Sequence, residues 1–276
     1  MKKILFITML LLAFTASAAT KVKSQHFEIA DSVRFFDKDN NDGIGYKLTK
    51  RVTANWPVAI NGKKCQKLSN YLLDSIFYVN NHRGIFPNYP EKMNVMIESL
   101  RTLLQQELYD HNILEEYNVL SARAPGVVDI KCGDYPLNCW YENITIDYSH
   151  SVDDLAFFTS YYEDYFGGAH GMFFTEYLPF DINLNKPIHL KDIVTSPKKL
   201  LRILPSYDKR DKDVKWWQYI DTNDIDNFYI KNGKIVFSFA PYAIGPFCEG
   251  QIEVPVSLKT LNAKGLLTTY GKKYLK

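Results

Sequence analysis

The sequence predicts an α+β fold in two lobes, with a helix-containing N-terminal lobe and a mainly antiparallel-sheet C-terminal lobe. Two segments with apolar residues at helical spacing occur in the first half of the chain, and aromatic segments of strand character follow. Helices early and strands late, without regular alternation, favour α+β over a parallel α/β sheet. We place the N-terminal lobe at residues 19–130 and the C-terminal lobe at residues 131–276.

Two strands and two helices are predicted in the N-terminal lobe. Residues 26–36 and 46–54 alternate apolar and polar side chains and flank the turn sequence DKDNNDG at 37–43. The turn resembles a calcium loop, but the position that requires glycine holds an acid, so a polar hairpin turn is favoured. Apolar residues at helical spacing then predict helices over 68–77 and 93–108.

The C-terminal lobe is predicted to consist of strands with one short helix. Alternation around Ile144 and Ile146 indicates the first strand. Further strands are predicted at 155–165, 172–178, 235–239 and 251–256, and the helix at 197–204. The boundary between the lobes is expected in the segment that runs from Pro125 to Cys139.

The first residues have the pattern of a secretory signal peptide. Lys2 and Lys3 precede an apolar run at 4–14, and Ala-Ser-Ala at 16–18 is a small-residue cleavage site. The apolar run is shorter than the roughly 20 residues that span a bilayer, and no later segment is apolar enough to do so. We therefore predict a signal peptide at 1–18, no membrane anchor after its removal, and a place in the periplasm or outside the cell.

The charge balance argues against a nucleic-acid partner. Removal of Lys2 and Lys3 lowers the number of Lys plus Arg from 33 to 31, which equals the 31 Asp plus Glu. Binding to nucleic acid depends on neutralising phosphates, and a neutral chain without a basic run gives no sign of it. No cofactor motif is present either, and a metal centre is not predicted, since the sequence has neither paired C-x-x-C motifs nor clustered histidines.

The four cysteines are predicted to form disulfides, because the compartment is oxidising and their number is even. Three connectivities are open. A Cys132–Cys139 pair is favoured because a turn separates these residues, and Cys65–Cys248 would then join the two halves of the chain.

A glycine-rich corner surrounds one histidine, at Gly167, Gly168, His170 and Gly171. Such a backbone must bend tightly or pass close to another group, and the favoured interpretation is a hairpin corner. Alternatively, His170 acts as a general base with Glu163 or Asp164. Consecutive strand residues face opposite ways, so at most one of these acids shares a face with a given partner. A metal site built from His170, Asp164 and His189 is a weaker alternative.

The segment at 241–250 is predicted to be a rigid loop with aromatic side chains. It contains two prolines and two glycines, and Tyr242, Ile244, Pro246 and Phe247 are the candidate binding residues. A rigid aromatic loop loses little entropy on contact, which suits recognition. Packing of the same loop across the end of the sheet is the alternative.

Several motifs together resemble the C-terminal domain of RsiV-type anti-sigma factor ectodomains, a domain also found in the non-catalytic part of some peptidoglycan deacetylases. They are GGAHG at 167–171, Phe180-Asp181, IHLKD at 188–192, FAPYAI at 239–244 and Gly250. Upstream, WPVAING at 56–62 and the helix from Leu68 are similar to the domain that usually precedes it.

The resemblance implies an α+β fold outside the cytoplasm and, in RsiV-type regulators, binding of lysozyme. The sequence lacks their membrane segment and sigma-binding region, and it lacks the deacetylase catalytic domain. We therefore expect a secreted envelope protein that binds a lysozyme-like protein or a peptidoglycan fragment. A hydrolase of envelope polymers, with a site of His170 and a carboxylate, is the alternative.

Overall fold

The computed structural model describes residues 20–37, 45–77, 92–108, 119–121, 138–166, 169–210 and 215–275. The predicted signal peptide and most of the predicted turn at 37–43 lie outside these residues, as does nearly all of the boundary between the lobes. Among the helices of these ranges, none is both long and apolar enough to cross a membrane.

The described elements follow the order of strands and helices that defines an α+β protein. The strands are β1 (Val22–Asp37), β2 (Gly45–Ile60), β3 (Val119–Ser121), β4 (Asn138–Val152), β5 (Leu155–Tyr165), β6 (Met172–Asp181), β7 (Lys186–Pro187), β8 (Phe228–Lys231), β9 (Lys234–Phe239) and β10 (Ile252–Ser257). The helices are α1 (Gln66–Phe77), α2 (Met93–Leu108), α3 (Leu190–Ile193), α4 (Pro197–Ile203) and α5 (Leu258–Ala263). The predicted α+β fold class, with its long helices in the N-terminal half and a sheet-rich C-terminal region, is confirmed.

Seven strands form one sheet in the order β3-β1-β2-β4-β5-β6-β7, and β10-β9-β8 form a second. The described pairings are antiparallel except for β2 and β4, which run parallel. A parallel pair needs a long crossover between its strands, and here the crossover contains α1 and α2. The seven-stranded sheet therefore contains strands from both sides of residue 131.

The two faces of this sheet bury different partners. On one face, Trp56, Ile146 and Phe158 pack with apolar residues of α1 and α2 such as Leu72 and Leu100. This core explains the helical spacing in the sequence, because a surface helix buries one apolar stripe. The structure places these helices over 66–77 and 93–108, as the spacing predicts.

Among the described residues, the C-terminal elements cover only part of the opposite face. Leu155 and Phe157 of β5 pack there against Phe237, Val254 and other apolar residues of the second sheet and α3–α5. The odd-numbered residues 159–165 of β5 continue on the same face toward the β5–β6 hairpin, and they are half-buried. We call this uncovered area the open face.

The predicted Cys65–Cys248 disulfide is wrong, because both residues are free thiols. Cys65 follows the end of β2, near the start of β5, whereas Cys248 lies in the loop beside His170, near the end of β5. The length of β5 separates these positions by about 33 Å at 3.3 Å per residue, and a disulfide needs Cα atoms within about 7 Å. The Cys132–Cys139 prediction lies outside the described residues because Cys132 does.

Candidate functional site

The structure brings together the two features that the sequence analysis singled out separately. His170 follows the glycine corner, and its Nε2 lies 3.1 Å from the Oη of Tyr242 in the loop 241–250, 72 residues later in the chain. The imidazole also stacks on Phe247, with ring centroids 3.6 Å apart and an angle of 14° between the planes. The hairpin end and the loop therefore form one surface.

Four rings make up this surface, which we call the aromatic surface: His170, Phe173, Tyr242 and Phe247. Phe247 lies at its centre, with the ring of Tyr242 at 5.6 Å and the ring of Phe173 edge-on at 5.7 Å. His170 is exposed, Tyr242 is 46% exposed, and the two phenylalanines are half-buried. Aromatic rings in partly open positions are the side chains that most often carry binding energy at interfaces.

Tyr242 has a backbone conformation that tyrosine rarely adopts. Its φ is +70°, in the left-handed region. Of the five non-glycine residues with positive φ in the described part of the chain, the other four are Asn or Asp, which tolerate this region because their short side chains bond locally. For tyrosine the conformation costs about 1–2 kcal/mol. The fold therefore tolerates a loss of stability at the residue that directs an exposed ring outward.

Arg210 fixes the loop 241–250 from behind. Its Nη2 donates to the Ile244 carbonyl at 2.8 Å, and its Nη1 donates to Glu249 at 2.6 Å. Nε and Nη2 also donate to Asp208, at 2.9 and 2.6 Å. The Asp208 carboxylate accepts a further bond from Trp217 at 3.1 Å. One planar fork thus holds the loop at Ile244 and at Glu249, which a lysine could not reproduce.

The charges behind the loop stabilise one another. Burial alone would raise the pKa of Asp208, but the hydrogen bonds from Arg210 and Trp217 hold it below its usual value. The hydrogen bonds to Asp208 in turn raise the pKa of Arg210. Gly245 leaves the space for this arrangement, since a Cβ there would overlap Arg210 Nη1 and lie 2.8 Å from Ile252 Cδ1.

Not all predicted binding residues reach the surface. Tyr242 and Phe247 belong to the aromatic surface, and Pro246 is half-buried beside them. Ile244 is only 2% exposed and packs in the core beneath the loop with Ile252. It anchors the loop and is not accessible to a partner.

The glycine corner has a steric cause at the one glycine that is described. A Cβ on Gly171 would overlap the backbone carbonyl of Asp164 on the neighbouring strand, so the chain can pass only with glycine here. Gly167 and Gly168 lie outside the described residues. His170 Nδ1 lies 3.0 Å from the Gly171 carbonyl oxygen.

The two acids near His170 are engaged elsewhere. Asp164 accepts from the Met172 amide at 3.1 Å and from the Tyr162 hydroxyl at 2.8 Å. Glu163 points to the opposite face and accepts from Asn143 at 2.9 Å. The ring nitrogens of His170 contact a carbonyl and a phenol instead of a carboxylate. The geometry does not form the His–carboxylate pair that a hydrolase would need.

Asp164 belongs to a buried network beneath the corner. Lys50 Nζ and Glu142 form an ion pair at 3.2 Å, with side chains only 3% and 9% exposed. Tyr162 connects Glu142 to Asp164 through its hydroxyl, and its pKa is raised by burial and by these two carboxylates. A fully bonded buried network specifies one arrangement of its strands, and this one holds the start of β6.

His189 lies at the far end of β6 and takes part in capping. His189 Nδ1 lies 3.1 Å from Asp226 Oδ2. This hydrogen bond raises the pKa of His189, although burial alone would lower it. Asp226 also accepts from the Leu190 amide at 2.6 Å, and Asp192 accepts from the His189 amide at 2.9 Å. The IHLKD motif is therefore structural. In the described ranges no group of three His, Cys, Asp or Glu side chains is placed to hold a metal ion.

The role of Arg210 could not be predicted from the sequence. The four hydrogen bonds of its guanidinium reach Asp208, two residues earlier, and Ile244 and Glu249, 34 and 39 residues later. No local sequence pattern marks such a residue. The positive φ of Tyr242 is likewise not visible in the sequence, because Pro-Tyr-Ala predicts a turn but not which residue is left-handed.

Comparisons with known proteins cover part of this site. Residues 190–259 match a family described as "Protein of unknown function (DUF3298)". The matched segment includes the loop 241–250, whereas His170 and Phe173 precede it. No curated protein matches the chain.

Two solved structures are similar over most of the chain. A member of the DUF3298 family from Bacteroides fragilis NCTC 9343 has a TM-score of 0.53 and 19% identity, over 91% of this chain and 96% of that one. A DUF3298 family protein from Pseudomonas aeruginosa PAO1 has a TM-score of 0.45 and 13% identity, over 90% of this chain and 95% of that one. At this identity the Bacteroides structure shows a shared fold.

Proposed function

We propose that this protein is an envelope binding protein that acts outside the cytoplasm and recognises its partner through the aromatic surface. The partner is a lysozyme-like protein or a cell-wall glycan. The observation that carries the proposal is Tyr242, an exposed ring on a strained backbone. Strain of this kind persists where surrounding structure enforces it, and it is concentrated at functional sites.

The mechanism of recognition follows from preorganisation. Binding costs entropy for each side chain and loop that becomes ordered. Arg210 already holds the loop in place, and the stacked rings of His170 and Phe247 already fix each other. A partner that contacts these rings therefore gains their burial at a low ordering cost. The half-exposed Glu249 at the rim offers a charged edge for orientation.

The location and the class of partner rest on the sequence. The pattern at residues 1–18 supports secretion, and the motifs at 167–171 and 239–244 support a likeness to RsiV-type ectodomains. In this structure those motifs supply His170 and Tyr242 to the same surface. The alternative of a hydrolase has less support, because the ring nitrogens of His170 lie against the Gly171 carbonyl and the Tyr242 hydroxyl.

Calorimetric titration tests the proposal. The purified protein is titrated with lysozyme and, separately, with soluble peptidoglycan fragments, at concentrations that reveal micromolar affinity. We expect saturable heat with one of the two. The matched control is Tyr219→Ala, which removes a tyrosine that is 76% exposed outside the aromatic surface and should leave the titration unchanged. Absence of heat with both ligands contradicts the proposal.

A further inference from the structure

The open face presents tyrosine side chains in a regular array. Cross-strand pairing places Tyr165 of β5, Tyr141 of β4 and Thr49 of β2 in one row. Paired residues share a face and lie about 5 Å apart. The rings of Tyr165 and Tyr141 lie 6.3 Å apart at an angle of 33°, and Tyr141 is 37% exposed. The two rings form a broad, shallow step on the sheet.

A parallel row lies four residues away along the strands. It consists of Tyr161, Thr145 and Thr53, paired across the same three strands. Four residues of β-strand span about 13 Å, so the row of Tyr161 and the row of Tyr165 are separated by the length of a short oligosaccharide. These six residues, together with the row between them, define the tyrosine face.

The row between them carries planar hydrogen-bonding groups that are already bonded to neighbouring side chains. Glu163 accepts from Asn143 Nδ2 at 2.9 Å and from the Tyr161 hydroxyl at 3.2 Å. Arg51 pairs with Glu28 of β1 at 3.3 Å. Burial and the nearby Glu163 raise the pKa of Tyr161, so its hydroxyl stays a donor. The face therefore offers hydroxyl and amide groups together with one negative charge, that of Glu163, which is held by two neutral donors.

We propose that the tyrosine face binds a neutral, β-linked polysaccharide chain. The faces of the tyrosine rings carry partial negative charge and attract polarised C–H groups, which a sugar ring presents on its flat side. The amide of Asn143 and the hydroxyls of the threonines meet sugar hydroxyls. The six positions that are not tyrosine all hold polar side chains, so hydrogen-bonding groups that suit sugar hydroxyls surround each ring.

The composition also argues against an anionic polymer. Arg51 is the one cation among the nine positions, and Glu28 balances its charge. The carboxylate of Glu163 then gives the face a negative charge that repels a polyanion. The proposal goes beyond the recognition described above, because it uses residues outside the aromatic surface. The two surfaces share a border, since Phe173 pairs with Glu163 across β5 and β6.

The test compares neutral and anionic probes on the full chain. Cellohexaose and chitohexaose are titrated calorimetrically against the purified protein, with polygalacturonate as the anionic probe. We expect saturable binding of a neutral hexasaccharide that Tyr141→Ala weakens about tenfold and that Tyr141→Phe, which keeps the ring, leaves within about threefold of the original. Tyr141 is exposed, so the thermal unfolding of both variants should match that of the parent protein.

A control variant outside both surfaces shows that the effect of Tyr141→Ala is local. Tyr219→Ala, which removes a ring that is 76% exposed, should leave hexasaccharide binding unchanged. Absence of lysozyme binding would not affect the proposal for the tyrosine face, and absence of hexasaccharide binding would not affect the proposal that lysozyme binds the aromatic surface. The inference is overturned by absence of binding to both hexasaccharides, by equal affinity in Tyr141→Ala, or by binding to polygalacturonate alone.

Discussion

Replacement of Arg210 by methionine should loosen the loop 241–250 and lower the stability of the protein. Methionine keeps an unbranched stem but removes the guanidinium. Asp208, whose side chain is 12% exposed, then keeps its bonds from Trp217 and from the backbone amide of residue 210 but loses both guanidinium bonds. The Ile244 carbonyl loses its guanidinium donor. Glu249 is 41% exposed and is resolvated.

The magnitude follows from these partners. Removing hydrogen bonds to a largely buried charge costs about 1.5–3 kcal/mol. The exposed Glu249 pair adds at most about 1 kcal/mol. The expected loss is therefore about 2–4 kcal/mol in the free energy of unfolding, which corresponds to a fall of about 4–15 °C in Tm for a protein of this size.

The assay is thermal and denaturant unfolding of Arg210→Met, Arg210→Lys and the matched control Arg202→Met, which alters an exposed arginine on α4. Arg210→Lys keeps the charge without the fork and should lie between the other two. The pKa of Asp208 is lowered in the folded state, so its stabilisation is present above its ordinary pKa and is lost as the pH falls through the lower folded value. The deficit of Arg210→Met should therefore shrink as the pH falls below about 4. A Tm equal to that of Arg202→Met would refute the role of Arg210.

Three further outcomes are expected. Gly171→Ala should lose more than about 2 kcal/mol in the free energy of unfolding, because its Cβ meets a backbone carbonyl that cannot move aside; a stability equal to the parent's in denaturant melts would contradict this. Tyr270→Phe should cost about 1.5–3 kcal/mol, because the fully buried Asp181 loses a donor at 2.6 Å; an unchanged Tm would show that water replaces the hydroxyl. Thiol labelling without reductant should modify Cys248 rapidly and Cys65 only slowly, because burial raises the pKa of Cys65. If neither cysteine is labelled after denaturation, both are in disulfides and the assignment of free thiols is wrong.

The local elements could be predicted from the sequence because their signals are local. The apolar stripe at 93–108 and the aromatic run at 155–165 gave the bounds of α2 and β5 as the structure has them. The strand β8 was missed, although Asn232-Gly233 is a strong hairpin signal and both residues have positive φ. A hairpin at that dipeptide predicts a strand on each side of it, which are β8 and β9 of the second sheet.

Relations between distant segments could not be predicted in the same way. The parallel pairing of β2 and β4 depends on a crossover whose path the periodicity does not reveal. The prediction of a Cys65–Cys248 disulfide was wrong for the same reason, because an even number of cysteines says nothing about how far apart they lie in the fold. The glycine corner and the aromatic loop were each identified as unusual, but only the fold shows that His170 and Phe247 stack.

The affinity and the stability of Tyr242→Gly test the central claim most directly. Glycine removes the exposed ring and also relieves the left-handed backbone. We expect the variant to unfold within about 1 kcal/mol of the parent protein, or to be more stable, while its affinity for the envelope partner falls about thirtyfold, as for a residue that dominates an interface. Unchanged affinity would contradict the claim that the aromatic surface is the recognition site, and a parallel loss of stability would assign Tyr242 to the fold instead.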